Sequence, residues 1–297
     1  MKPTNFAAGV ALVACVCATP AFATENGSDN SIGLGAEGVL AGALPPPGLY
    51  GLLYVNEYDA NRFVDGHGNS LIPNFKLDAT AIVPRVVYMT NTSIAGGLFG
   101  VYGLVPLVNL KVHAAGQSDS RTGIGDTAVA PMIAWHHGDL HWATAMEFVL
   151  PTGDYDKNRL ANIGNNYYTV RPTLAVSYSD PNGLDISTRL MYSINSTNNA
   201  TGYHSGEYVA ADYSVGYRVK PTLTLAVEGY LLKQLTDDRV DGASVNGNGF
   251  RGQVFGIGPG IHYQGKGFSI EAKFIKETLV RNRSDGTSAW IKAIIPF

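Results

Sequence analysis

A chain of 297 residues with 45% hydrophobic and only 15% charged residues has too few charges for an ordinary soluble surface. No run of about 18 consecutive apolar residues occurs, which excludes a helical membrane protein, and a net charge of −3 gives no basic footprint for nucleic acid. With 35 Gly and 16 Tyr, strands and turns are favoured over helices.

Lys2, the apolar run Phe6 to Val16, Pro20 and the small-x-small site Ala21-Phe22-Ala23 read as a secretory signal peptide over residues 1–23. Its removal takes away Cys15 and Cys17, so the exported chain folds without a disulfide. Leu12-Val13-Ala14-Cys15 also fits a lipoprotein box, although the apolar stretch before it is short, and both processing routes stay open. Residues 24–47 form a Gly- and Ala-rich leader ending in Pro45-Pro46-Pro47-Gly48, too stiff for a helix or a central strand. This leader is expected either beneath the folded domain or inside it as a plug.

From Gly48 onward the hydrophobic period is two. Lys76 and Asp78 alternate with Leu77, Ala79 and Ala81, and Tyr168, Val170, Pro172, Leu174, Val176 and Tyr178 interleave with Arg171, Thr173 and Ser177. Ile186, Leu190 and Ile194 oppose Asp185 and Arg189, and Leu223, Leu225, Val227 and Leu231 oppose Thr224 and Glu228. Phe268, Ile270 and Phe274 oppose Glu271 and Lys273, and Ala289 to Phe297 alternates around Lys292. Long polar connections at 59–72, 113–123, 152–166, 196–206, 234–249 and 277–286 alternate with short ones near 90–92, 137–139, 179–183, 219–221 and 264–267. That rhythm predicts an all-β fold, a transmembrane antiparallel up-and-down β-barrel of about twelve strands over residues 48–297. Tyr168, Tyr178, Tyr263, Phe268 and Phe297 near strand ends suit interface girdles. A soluble β-sandwich would also alternate, but with shorter strands and without this loop rhythm.

Three groups of residues carry a resemblance: Leu44-Pro45-Pro46-Pro47-Gly48-Leu49-Tyr50, Gly123-Ile124-Gly125-Asp126 and Leu150-Pro151-Thr152-Gly153-Asp154-Tyr155. With Asn162-Ile163-Gly164-Asn165-Asn166-Tyr167-Tyr168 and the ending Trp290 to Phe297, the chain resembles, over about residues 43–297, the bacterial outer-membrane family named for the meta pathway of phenol degradation. The resemblance implies an outer-membrane barrel that passes small, often aromatic or hydrophobic, molecules; it transfers no ligand residues. Gly153 is expected to permit a turn in an outer loop whose rim Tyr155 caps.

Reactive constellations are sparse. His136, His137, Asp139 and His141 crowd one turn, but neighbouring imidazoles on a strand point to opposite faces, so no metal is expected. Asp237, Asp238 and Asp241 lack an EF-hand spacing and read as a solvated loop. Gly256-Ile257-Gly258-Pro259-Gly260 has no following helix and reads as glycines facing a crowded lumen rather than a nucleotide loop. No His-x-Ser pair is present for a barrel hydrolase, and His204-Ser205 lies in a loop.

The candidate lumen-lining residues are Lys76, Asp78, Glu147, Arg171, Asp185, Arg189, Asp212, Glu228, Glu271, Lys273 and Lys292. Their mixed signs suggest pairing across strands, because unpaired buried charge is costly. The expected function is an outer-membrane channel or passive transporter for small organic molecules, without catalysis or cofactor. Its expected partners are membrane lipid, lipopolysaccharide, the permeant and the barrel-assembly machinery. A structural barrel without flux and a membrane-embedded hydrolase are the alternatives.

Overall fold

The computed structural model describes residues 32–297; the signal-peptide segment 1–23 and leader residues 24–31 lie outside the described residues. Twelve antiparallel strands close into a barrel. They are β1 (Gly48–Val64), β2 (Lys76–Ile94), β3 (Gly97–Leu104 continuing as Leu107–Ala114), β4 (Gln117–Ile124 continuing as Thr127–His137), β5 (Leu140–Leu150) and β6 (Thr169–Ser179). The rest are β7 (Leu184–Asn195), β8 (Tyr208–Lys220), β9 (Leu223–Gln234), β10 (Gln253–Gln264), β11 (Ser269–Arg281) and β12 (Arg283–Pro296). Each strand pairs with the next, and β12 returns to β1 with Tyr50 opposite Pro296 and Val64 opposite Arg283. Across the apolar band, closure gives the backbone donors and acceptors partners without an edge, as a lipid-spanning sheet requires.

Strands β5 to β12 are 11 to 14 residues long. At ~3.3 Å per residue and a tilt near 45°, eleven residues rise about 25 Å, the height of an apolar membrane band. Their outward positions carry Phe148, Leu174, Ile186, Leu190, Val215, Val227, Ile261, Phe274 and Ile291, all exposed. So continuous an apolar girdle is at home against hydrocarbon, not water. Tyr168, Tyr178, Tyr263, Phe268 and Phe297 are exposed as well, near the strand ends.

Three connections differ from the sequence expectation. Residues 113–123 are not a long loop: β3 and β4 run to a tight turn at Ala115-Gly116, where both residues have positive φ (51° and 78°) as a type I′ turn demands. Residues 277–286 likewise belong to strands, with only Asn282 (φ 50°) between β11 and β12. Both stretches are polar because these strand tips rise beyond the apolar band, where either face meets water. The turn expected near 90–92 sits at Ala95-Gly96.

The loop-end half of β4 pairs with β3 but has no strand on its other side, since β5 stops at Leu150 opposite Thr127. The loop 151–168 takes that place. Asp126 accepts hydrogen bonds from the Gly153 and Asn165 N–H groups at 2.9 and 2.8 Å, and Asp119 accepts one from Ala161 N–H at 3.0 Å. A Cβ on Gly153 would sit 2.6 Å from the Gly164 Cα, so this glycine permits close approach of two loop arms; its φ is not in the left-handed region. The Gly-Ile-Gly-Asp, Pro-Thr-Gly-Asp and Asn-Ile-Gly-Asn segments therefore meet in one knot. Asp126→Ala takes this acceptor from the half-buried Gly153 N–H and the buried Asn165 N–H. It is expected to cost about 1–3 kcal/mol, read as earlier proteolytic cleavage in 151–168.

Candidate functional site

The site is the lumen. Residues 32–44 do not lie beneath the barrel; they run inside it, held by backbone hydrogen bonds to side chains on β6, β7 and β8. Gly35 and Glu37 N–H groups donate to Asp212 at 2.7 and 3.1 Å, Leu40 N–H to Ser187 Oγ at 3.0 Å, and Gly42 N–H to Ser177 Oγ at 2.8 Å. Small residues let the segment pass: a Cβ on Gly38 would collide with Glu228 and lie 2.6 Å from Glu271 Oε1. Tyr50 then donates to the Pro46 carbonyl at 2.9 Å as the chain turns into β1.

Glu37 sits at the centre of a charged layer. Its carboxylate accepts from Tyr54 Oη at 2.8 Å and Arg85 Nη1 at 3.1 Å, and lies 3.3 Å from Lys292 Nζ and 3.9 Å from Arg189 Nη1. Arg189 also pairs with Asp212 at 2.9 Å, and Arg85 stacks over the Tyr102 ring, 3.7 Å from its centroid. Beside this, Arg171 pairs with Glu147 at 2.6 Å while Tyr102 donates to Glu147 at 2.7 Å. On β9 to β12, Lys273 bridges Glu228 at 2.9 Å and Glu271 at 2.7 Å, and Lys292 reaches Glu271 at 3.3 Å. Gly260 makes room for Glu228, whose carboxylate a Cβ there would strike. The β10 glycines thus face a crowded interior, as the sequence suggested.

Of the eleven candidate residues, Glu147, Arg171, Asp185, Arg189, Asp212, Glu228, Glu271, Lys273 and Lys292 are in the interior, most of them in this network. Asp185 stands apart and accepts from Ser187 Oγ at 2.9 Å. Lys76 and Asp78 do not belong with them. The inward residues of β2 are Leu77, Ala79, Ala81, Val83 and Arg85, so the two charges fall on the outer face. There they pair with each other at 3.7 Å, their side chains 67% and 37% exposed. β2 reverses the polarity expected of a barrel strand at this level because its loop-end portion rises past the apolar band, leaving water outside and aliphatic residues within.

That aliphatic stripe makes one wall of a cavity of about 230 Å³, above the charged layer towards the long loops. Leu77, Ala79, Ala81, Val83, Leu110 and Ile163 line it together with Glu37, Arg85 and Arg189. A second cavity of about 330 Å³ lies towards the short turns, lined by Val39, Leu44, Leu52, Val87, Tyr102 and Met132 among others. Glu37, Arg85, Thr173 and Arg189 line both, so they form the partition between the two. The upper cavity is larger than the ~150 Å³ apolar void known to admit benzene.

Over the upper cavity, Phe63, Phe75, Ile163, Tyr203, Val245 and Phe250 pack into one apolar cluster with Leu77 and Leu110. Loops 196–207 and 235–252 supply its top, joined by four two-residue strands. Asp238 is not solvated, as the sequence suggested, but fully buried. It accepts from Tyr203 Oη at 2.6 Å, Gly206 N–H at 2.7 Å and Gln234 Nε2 at 2.6 Å. Burial pushes its pKa up to about 6, against the lowering effect of those three donors. An acid whose pKa is raised on folding stabilises the ordered loops most below its unfolded value of 3.8, and that contribution is lost as pH rises through about 6. Proteolysis of 196–207 should therefore accelerate between pH 4 and 8 in the wild type relative to Asp238→Asn, by on the order of 100-fold at most. A constant ratio of the two rates would contradict this.

Sequence reasoning missed Glu37, Arg85, Tyr54 and Tyr102. Glu37 lies in a leader without periodicity. Arg85 would have emerged had the phase of β2 been taken from exposed Ile82, Val86 and Tyr88. Among the described residues no group of three or more His, Cys, Asp and Glu is placed to hold a metal ion.

The described residues superpose on an outer membrane channel from Pseudomonas putida F1 with a TM-score of 0.77 at 14% identity, over 86% of this chain and 98% of that one. The transport unit of the autotransporter AIDA-I from Escherichia coli (TM-score 0.52, 11% identity, 87% and 95% covered) and the translocator domain of the autotransporter NalP from Neisseria meningitidis (0.50, 9%, 86% and 91%) share the barrel more loosely. These likenesses establish the fold. No curated protein matches the chain by sequence. Residues 60–293 match the family described as the putative MetA-pathway of phenol degradation, and the chain belongs to that family.

Proposed function

We propose that the protein is an outer-membrane channel through which small, weakly polar organic molecules diffuse, and that residues 32–44 close it. The observation that carries this reading is the partition: two lumenal cavities share Glu37, Arg85, Thr173 and Arg189, and of these only Glu37 belongs to the inserted segment. Were that segment to shift, the cavities would join along the barrel axis. The cavity walls suit a permeant with an apolar body, since aliphatic side chains dominate one side and the charged groups are largely occupied with one another. One-ring aromatic compounds fit the size and the chemistry. Transport needs no covalent step; lipid, lipopolysaccharide at the long loops and the barrel-assembly machinery are the partners this reading entails.

The test is solute flux into liposomes containing the folded protein. Glu37→Gln removes the charge that Arg85, Arg189 and Lys292 hold. It is expected to raise uptake of a one-ring aromatic solute while leaving the barrel folded. Flux that is absent in both proteins, with heat-modifiability intact, would favour a structural barrel instead.

A further inference from the structure

Outside the lumenal charge network, one pair of metal-ligating side chains stands by itself. The turn at Gly138-Asp139 joins β4 to β5, and the register sets His136 directly opposite His141. Both share the parity of inward-facing Ala134 and Ala143, whereas His137 falls on the other face. The expectation that these imidazoles diverge is right for the sequence neighbours 136 and 137 and fails for the cross-strand partners. On the outer face Trp135 and Trp142 stack with centroids 6.0 Å apart and planes 10° from parallel, which fixes this end of the hairpin.

His136 Nδ1 and His141 Nδ1 are 2.8 Å apart, with ring planes inclined at 62°. For metal–nitrogen bonds of ~2.0 Å, that separation subtends about 90° at the metal, while a tetrahedral angle would need ~3.3 Å. The two nitrogens are close enough to take adjacent positions on a square-planar or octahedral ion once the hydrogen bond between them opens. Imidazole ligation with tetragonal geometry selects Cu²⁺ or Ni²⁺, and Cu²⁺ binds more tightly than Ni²⁺ or Zn²⁺ at a given nitrogen site. Without metal, the same contact is an Nδ1···Nδ1 hydrogen bond in which one ring donates and the other accepts. On binding, both Nδ1 atoms offer a lone pair to the ion, so the donor ring gives up its Nδ1 proton. The remaining coordination positions fall to water, making the site exchangeable rather than a folding staple.

We propose that His136 and His141 form a two-histidine site for a divalent copper or nickel ion at the short-turn mouth of the barrel. Gly42 lies against the His141 carbonyl, where a Cβ would come within 2.9 Å, so the site adjoins the point at which the inserted segment leaves the lumen. The test uses the full mature chain, folded in detergent without a histidine tag and titrated with Cu²⁺. Expected is one ion per chain with two nitrogen ligands in its electron paramagnetic resonance spectrum, and an affinity that falls by well over an order of magnitude in His136→Ala or His141→Ala but not in His204→Ala. A second readout needs no variant: Cu²⁺ should protect His136 and His141 from diethyl pyrocarbonate in the wild type. Unchanged affinity in the double variant, a single nitrogen ligand, or no protection of these two residues overturns the proposal.

Discussion

Deletion of residues 24–44 is expected to raise single-channel conductance several-fold in a barrel that folds normally. The segment's contribution is steric and electrostatic together. Residues 32–44 occupy the lumen between two cavities, and Glu37 draws Arg85, Arg189 and Lys292 towards the centre. The barrel wall does not depend on it, because strand pairing from β1 to β12 is complete without residues before Gly48. Deletion frees Asp212 of two backbone donors and Lys273 of the Glu37 carbonyl, but both side chains then face a lumen wide enough for water. Planar-bilayer recordings check this, with heat-modifiability as the folding control. A correctly folded deletion variant with unchanged conductance would mean that the segment does not close the pore.

Lys273→Met is expected to destabilise the barrel by about 3–5 kcal/mol, because it strands the Glu228 carboxylate and takes one of two cations from Glu271. Glu228 and Glu271 are fully buried, and Lys273 is within 2.9 Å of both. Lys292 still reaches Glu271 at 3.3 Å, but among the described residues no second cation touches Glu228. The large effect reflects uncompensated charge, not the net worth of the ion pairs. Replacing all three together, Glu228→Gln and Glu271→Gln with Lys273→Met, is accordingly expected to recover most of the loss. Urea unfolding in lipid vesicles compares the single and triple variants. Equal destabilisation in both would show that packing, not charge balance, is what Lys273 supplies.

The fold was largely legible because a barrel spanning lipid must alternate apolar and polar residues on every strand. β6, β7, β9, β11 and β12 obey that rule around their charged residues, so the burial of Arg171, Arg189, Glu228, Lys273 and Lys292 could be read directly. The rule loses its grip where strands leave the lipid. At Lys76 and Asp78 the outer face meets water and the inner face is aliphatic, which inverts the assignment. At 117–124 the outward Ser118, Ser120 and Thr122 gave the composition of a loop to what is a strand. Glu37 was illegible for another reason: its position is set by hydrogen bonds from its own backbone to distant strands, which leave no periodic trace in the sequence.

Ala81→Trp in liposomes shows whether the cavity behind the β2 aliphatic stripe carries the permeant. Ala81 lines the upper cavity and lies outside the charged network, so the larger side chain fills space without breaking an ion pair. Uptake of a one-ring aromatic solute, measured in the 24–44 deletion background, is expected to collapse when Trp is placed there while the barrel remains heat-modifiable. Unreduced uptake through the folded Ala81→Trp barrel would contradict it.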